Sequence, residues 1–121
     1  MARPDANPKS AFGMKKPPLH LVPDPPLIEL AMVMGLGARK YGAFNWRQTE
    51  VAASVYVAAA RRHMAAWFDG ENIDDESGAS HLAHAAACLF ILLDAMAVGK
   101  LVDDRPPPGA AAQRIRELTV K

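Results

Sequence analysis

Apolar positions in this chain recur at helical spacing, and no run alternates with period two over a useful length. Leu27, Leu30, Ala31 and Met34 mark a first helix that opens on Pro25 and Pro26, good first-turn residues, and runs to about Arg39. A loop, KYGAFNWRQTE, follows, with Thr49 as the expected cap of a second helix over Glu50 to Phe68. That helix has two candidate faces. One carries Val51, Val55, Ala58 or Ala59, Arg62 and Ala66; the other carries Tyr56, Ala60, His63 and Trp67. Gly70 closes it. After the loop ENIDDES, Ser77 or Asp75 is the expected cap of a third helix reaching Val98 and ending at Gly99. A second breaker, RPPPG at 105 to 109, precedes a short helix from Ala110 to Leu118.

The spacing therefore predicts an all-α fold, a compact antiparallel bundle of three main helices plus a short C-terminal one. Residues 1–24 read as an extended Pro-rich arm, because prolines at 4, 8, 17, 18 and 23, followed by 25 and 26, crowd out helix. Residues 25–104 form the expected helical domain and 105–121 a Pro-rich turn with the short helix.

Composition narrows the function classes. A chain of 121 residues, half of them hydrophobic, holds one small domain with a real core, at a size where self-association often adds stability. Net charge is +1, with no excess of Lys and Arg to attract nucleic acid or anionic membrane. The single cysteine, Cys88, excludes an intrachain disulfide framework and reads as a small buried hydrophobe. No secretory signal is visible, and the longest apolar run, Ala85 to Leu93, stops at Asp94 far short of a membrane span. The expectation is a soluble, cytoplasmic protein.

The chemistry concentrates in GENIDDESGASHLAH, Gly70 to His84. His81 and His84 project from adjacent turns of one helical face, which continues through Ala85, Cys88, Ile91 and Leu92. Two imidazoles on an apolar face, just after Glu71, Asp74, Asp75 and Glu76, point to a site that binds a hard divalent cation. The structural alternative is an acidic capping loop with solvated side chains; flanking glycines argue for a tightly turned loop instead. His63 should come near the start of the third helix once the short loop folds back, as a ligand, a phosphate contact or a core residue. Of Arg61 and Arg62, only one can face inward as a phosphate clamp.

A second constellation is Lys40-Tyr41-Gly42-Ala43-Phe44-Asn45-Trp46-Arg47. Its aromatics suit stacking on a base, its cations suit phosphate, and its amide suits a base edge. The structural alternative is a hydrophobic plug closing the bundle, with Phe44 or Trp46 as that plug.

In this order, LHLVP, GARKYGAFNWR and ARRHMAAWFDGENIDDESGASHLAHAA, the chain resembles the small phage and bacterial dATP/dGTP diphosphohydrolases, of MazZ type, relatives of the MazG-like all-α nucleotide pyrophosphohydrolases. The match spans roughly residues 15 to 95. The resemblance implies an oligomer, a dimer or tetramer, that cleaves dGTP or dATP between the α and β phosphates and releases pyrophosphate. By analogy with phages that use 2-aminoadenine, dGTP is the substrate it implies, in the host cytoplasm. It implies two or more Mg²⁺ or Mn²⁺ ions, with Glu71, Asp74, Glu76, His81 and His84 as ligands and Glu76, Asp75 or His63 taking the proton of the attacking water. Lys40, Arg47 and Arg62 would balance phosphate charge, Tyr41 or Trp46 would stack on the base, and Asn45 would help choose it. The chain departs from the MazG pattern in having no Glu-Glu pair. Two rivals stand beside this reading. An HD-type phosphohydrolase needs an adjacent His-Asp pair, which the sequence lacks; a non-catalytic helical interaction module would use the Pro-rich arm to bind a partner.

Overall fold

In the computed structural model, which describes residues 5–121, helix is the dominant element and all-α is the class. Residues 1–4 of the expected arm lie outside the described part. The elements are α1 (Pro8–Gly13), α2 (Asp24–Tyr41), β1 (Val51–Ala52), α3 (Ala53–Phe68), α4 (His81–Ala97), β2 (Leu101–Val102) and α5 (Ala111–Leu118), with single 3-10 turns at Leu19–Leu21 and Asn45–Arg47.

The arm is less extended than its prolines suggest. Pro8 sits in the first turn of α1, where its missing N–H costs nothing, and Asn7 caps the turn by accepting from the Lys9 amide. The gap between Pro8 and Pro17 is long enough for a short helix. Nearly all of the arm is exposed, so it adds little to the core.

The bundle is organised around α4, which packs against both α2 and α3. Its small residues allow this. Ala83 and Ala87, one turn apart, meet Leu30 and Val33 of α2. Ala95, further along α4, joins Trp46 and Val51 in a second cluster, with Tyr56, Ile91 and Leu101 packed around it. On α3 the inward face is the one bearing Tyr56, Ala60 and His63; Val55 and Arg62 of the other face point to solvent.

Two boundaries differ from expectation. The second helix starts at Ala53, not Glu50, because Val51 and Ala52 are pulled into a parallel pairing with Leu101 and Val102. A two-residue ladder is too short for sequence alternation to reveal. Thr49 does not cap α3. Asp104, arriving beside β2, accepts from the Ser54 amide (2.8 Å) and the Ser54 hydroxyl, so a distant carboxylate satisfies a helix-end donor. Likewise the cap of α4 is Ser80, whose Oγ accepts from the Leu82 and Ala83 amides. Neither Ser77 nor Asp75 fills that position. An Ile73–Ser80 bridge and the left-handed Gly78 (φ +74°) fold the loop back, delaying the helix by three residues. The helices otherwise end close to where their glycines predict.

Candidate active site

The loop between α3 and α4, residues 69–80, is folded back on itself by the Ile73–Ser80 bridge, so α4 returns along α3 and brings His63 against the first turn of α4. His63 Nδ1 lies 2.9 Å from His81 Nδ1, and His81 Nε2 lies 2.6 Å from Glu71 Oε1. The His63 ring stacks on His84, nearly parallel (8°), with centroids 4.5 Å apart. His84 Nε2 is 2.7 Å from Ser77 Oγ, which in turn donates to Asp74 Oδ2 at 3.0 Å. His81 is only 5% exposed, while the Glu71 side chain is 53% exposed, so the cluster runs from the interior to the surface.

These contacts constrain the protons. With Ser77 donating to Asp74, His84 must donate Nε2–H to the serine. With His81 Nε2–H donated to Glu71, a neutral His81 keeps its Nδ1 lone pair. His63 then donates through Nδ1 and is left with a free lone pair on Nε2. Burial, reinforced by the His84 and His81 rings, holds His63 below the ordinary imidazole pKa. Burial also lowers His84, and the Asp74 charge opposes that without reversing it. Burial would by itself raise Asp74, but the Ser77 hydroxyl and the Glu76 amide outweigh it and hold the carboxyl below its usual range. The shifts of His63 and His84 favour the neutral imidazole and that of Asp74 favours the carboxylate, the forms that act as ligands or bases.

The donor set, three imidazoles with Glu71 and Asp74 beside them, suits a divalent ion with mixed nitrogen and oxygen preference. Two ligands at about 2.1 Å from one ion and at right angles are about 3.0 Å apart. The 2.9 Å between the His63 and His81 Nδ1 atoms therefore serves a shared proton or a shared cation equally well. Among the described residues no three His, Cys, Asp or Glu side chains converge on one point. Mg²⁺ in particular is commonly held by few protein ligands, with waters and substrate phosphates completing its shell.

The structure gathers His63, His81, His84, Glu71 and Asp74 into one site. Asp75 and Glu76 remain exposed, with Glu76 near enough for its charge to act on His84. Lys40, at the end of α2, also acts electrostatically on His84, and Arg62 on His63. Tyr41 is exposed and Asn45 half-buried. Trp46 and Arg47 turn elsewhere. The Trp46 ring is 8% exposed, and its Nε1–H donates to Asp94 Oδ2 at 2.7 Å. Arg47 grips the same carboxylate with Nε (2.7 Å) and Nη2 (2.9 Å) and lies over the Phe44 ring. Trp46 is thus the plug, a role the sequence had left open between it and Phe44.

Two participants are missed by sequence reasoning. Ser77 links His84 to Asp74 instead of capping a helix; nothing in its local pattern distinguishes the two roles. Asp94 anchors the whole NWR turn. Its signal was present, a lone carboxylate ending an apolar run, but its partners lie almost fifty residues away.

Residues 6–105 match the family model described as dATP/dGTP diphosphohydrolase, N-terminal. A dATP/dGTP diphosphohydrolase of Salmonella phage PMBT28 is 32% identical over 107 residues, covering 85% of this chain and 36% of that relative. The chain therefore spans about a third of the relative's length. No solved structure matches it significantly.

Proposed function

The chain belongs to the dATP/dGTP diphosphohydrolase N-terminal family, and from that premise we propose that it hydrolyses a purine deoxynucleoside triphosphate, dGTP or dATP, to the monophosphate and pyrophosphate. The observation that carries the reading is the approach of His63 and His81 through their Nδ1 atoms beside Glu71, at the mouth of a loop with three further carboxylates. Phosphoanhydride cleavage needs charge neutralisation on the triphosphate and a held, deprotonated water. His63, His81 and Glu71, with Asp74 and His84 alongside, are the residues to hold Mg²⁺ or Mn²⁺. When bound, the metal supplies charge for the phosphate oxygens and acidifies water.

The chain's own residues do the rest. A neutral His63 that holds the metal through Nδ1 carries its proton on Nε2, so a loop carboxylate, Glu76 or Asp75, would accept the proton of the attacking water. The Glu71 carboxylate fixes the orientation of His81 through Nε2, as ligating histidines require. Ser77 and Asp74 do the same for His84. Lys40 and Arg62 lie within electrostatic reach of these rings and offset phosphate charge.

Self-association belongs to the same reading. Leu82, Leu89, Leu93 and Met96 form a stripe along the outer side of α4, between 43% and 68% exposed. Their spacing of seven, four and three residues is that of a helix-pairing seam, and a second copy would cover it.

Incubating the chain with dGTP and Mn²⁺ and following ³¹P resonances tests the proposal. Equimolar dGMP and pyrophosphate are expected. Orthophosphate or tripolyphosphate as product, or no turnover with any purine triphosphate, would overturn it.

A further inference from the structure

The burial of Trp46 removes one of the two expected stacking partners of the base and leaves Tyr41 exposed, and a separate surface can hold the base along its length. A cleft of about 330 Å³ runs between α2 and the loop before α4, near the lower limit of roughly 300–1,000 Å³ for ligand clefts. One wall is a single face of α2, Glu29, Met32, Leu36 and Arg39, spaced three and four residues apart. The other includes Ile73 and Ser77. Met32 is 67% and Ile73 51% exposed, so an apolar side chain on each wall stands open to solvent.

The cleft has a direction. Ser77, on its wall, is the residue that joins His84 to Asp74, so one end lies beside the histidine cluster. That end belongs to the C-terminal part of α2, since Lys40 lies near the His84 ring. Arg39 is there too, its guanidinium folded back over Gly35 with Nη1 3.7 Å from where a Cβ would stand. Glu29 marks the other end, ten residues and roughly 15 Å along the helix axis from Arg39. Among the described residues neither Glu29 nor Arg39 has an ion-pair partner. Cations by the cluster, apolar walls, then a carboxylate: this order matches phosphate, base plane and base edge of an extended purine nucleotide.

We infer that this cleft seats the purine base, and that Glu29 sets base preference by accepting the N1–H and exocyclic N2–H of guanine. The inference rests on the proposed triphosphate hydrolysis. A carboxylate is acceptor-only, and guanine offers two donors on that edge. Adenine offers one donor and one acceptor, so its N1 lone pair would face a negative oxygen. A glutamine at the same place presents one acceptor and one donor, the complement of adenine.

The test is kcat/KM for dGTP and dATP with the full chain and with Glu29→Gln. The wild type should favour dGTP, and the variant should shift the ratio toward dATP by roughly 10- to 100-fold, the range of a charge-assisted pair exchanged for a mismatched one. An unchanged ratio overturns the inference. Met32→Trp, which fills the cleft, should raise KM for both bases; an unchanged KM with an altered elution volume would mean that a second copy covers the cleft, and the inference falls. If the wild type releases no pyrophosphate from either substrate, the hydrolytic reading has failed separately. Equilibrium dialysis with dGMP then decides the cleft: binding that is lost in Glu29→Gln sustains it, and equal or absent binding refutes it.

Discussion

Replacing Trp46 by alanine separates a structural role for this residue from a role in binding substrate. The indole is the largest side chain in its cluster, packed with Val51, Ala95, Met34, Tyr56, Ile91 and Leu101 and only 8% exposed. Truncating a buried tryptophan costs about 3–5 kcal/mol, the transfer of the ring plus the cavity it leaves. Here the lower half of that range applies, because the cluster lies near the surface and the turn bearing Trp46 can settle inward. At about 4 °C per kcal/mol for a chain of this size, the midpoint of thermal unfolding should drop by about 12–16 °C. Circular dichroism at 222 nm measures this directly, and steady-state kinetics below the new midpoint complete the comparison. The reasoning fails if the midpoint stays within about 2 °C of wild type while KM for dGTP rises sharply, since that pattern belongs to an exposed stacking platform.

The other expectations are shorter. Asp94 is held at about 2, against an ordinary 3.8, first by Arg47 and then by the Trp46 N–H. A depressed carboxylate stabilises fully above its unfolded pKa and loses that contribution as pH falls through its folded one, so the stability gap between wild type and Asp94→Asn should close between about pH 4 and pH 2 in acid-unfolding curves. Dialysis against EDTA should abolish turnover, and added Mn²⁺ should restore it; activity that survives chelation would remove the metal from the proposal. Leu93→Lys, in the middle of the exposed α4 stripe, should give a smaller species by light scattering than wild type. An unchanged mass would place any self-association elsewhere.

Much of this molecule was legible from spacing. Three long helices, their glycine stops and the convergence of His63 on the start of α4 follow from apolar periodicity and the single loop that joins α3 to α4, because helix geometry and chain connectivity are local. What escaped was non-local. Asp104 capping α3 and Asp94 gathering Trp46 and Arg47 each join residues about fifty positions apart. Hydrogen-bonding residues such as Asp and Ser suit many partners equally. Ser77 and Ser80 show the limit most clearly. Both precede α4 and both are good caps by type, yet the Gly78 turn decides between them, giving Ser80 the helix and Ser77 the histidine. The acidic stretch stands out in the sequence by its density of carboxylates just before two histidines. Of its four carboxylates, only Glu71 and Asp74 make direct side-chain contacts with the histidines.

The most direct test of the histidine cluster as the working centre is the initial rate of pyrophosphate release from dGTP by wild type and by His81→Asn, each shown folded by circular dichroism. His81 is the one residue that touches both His63 and Glu71, so its loss disconnects the site. A fall in kcat of ~100-fold or more is expected, the scale of losing a positioned acid-base group. A folded His81→Asn protein that retains the wild-type rate would place the chemistry somewhere else on this chain.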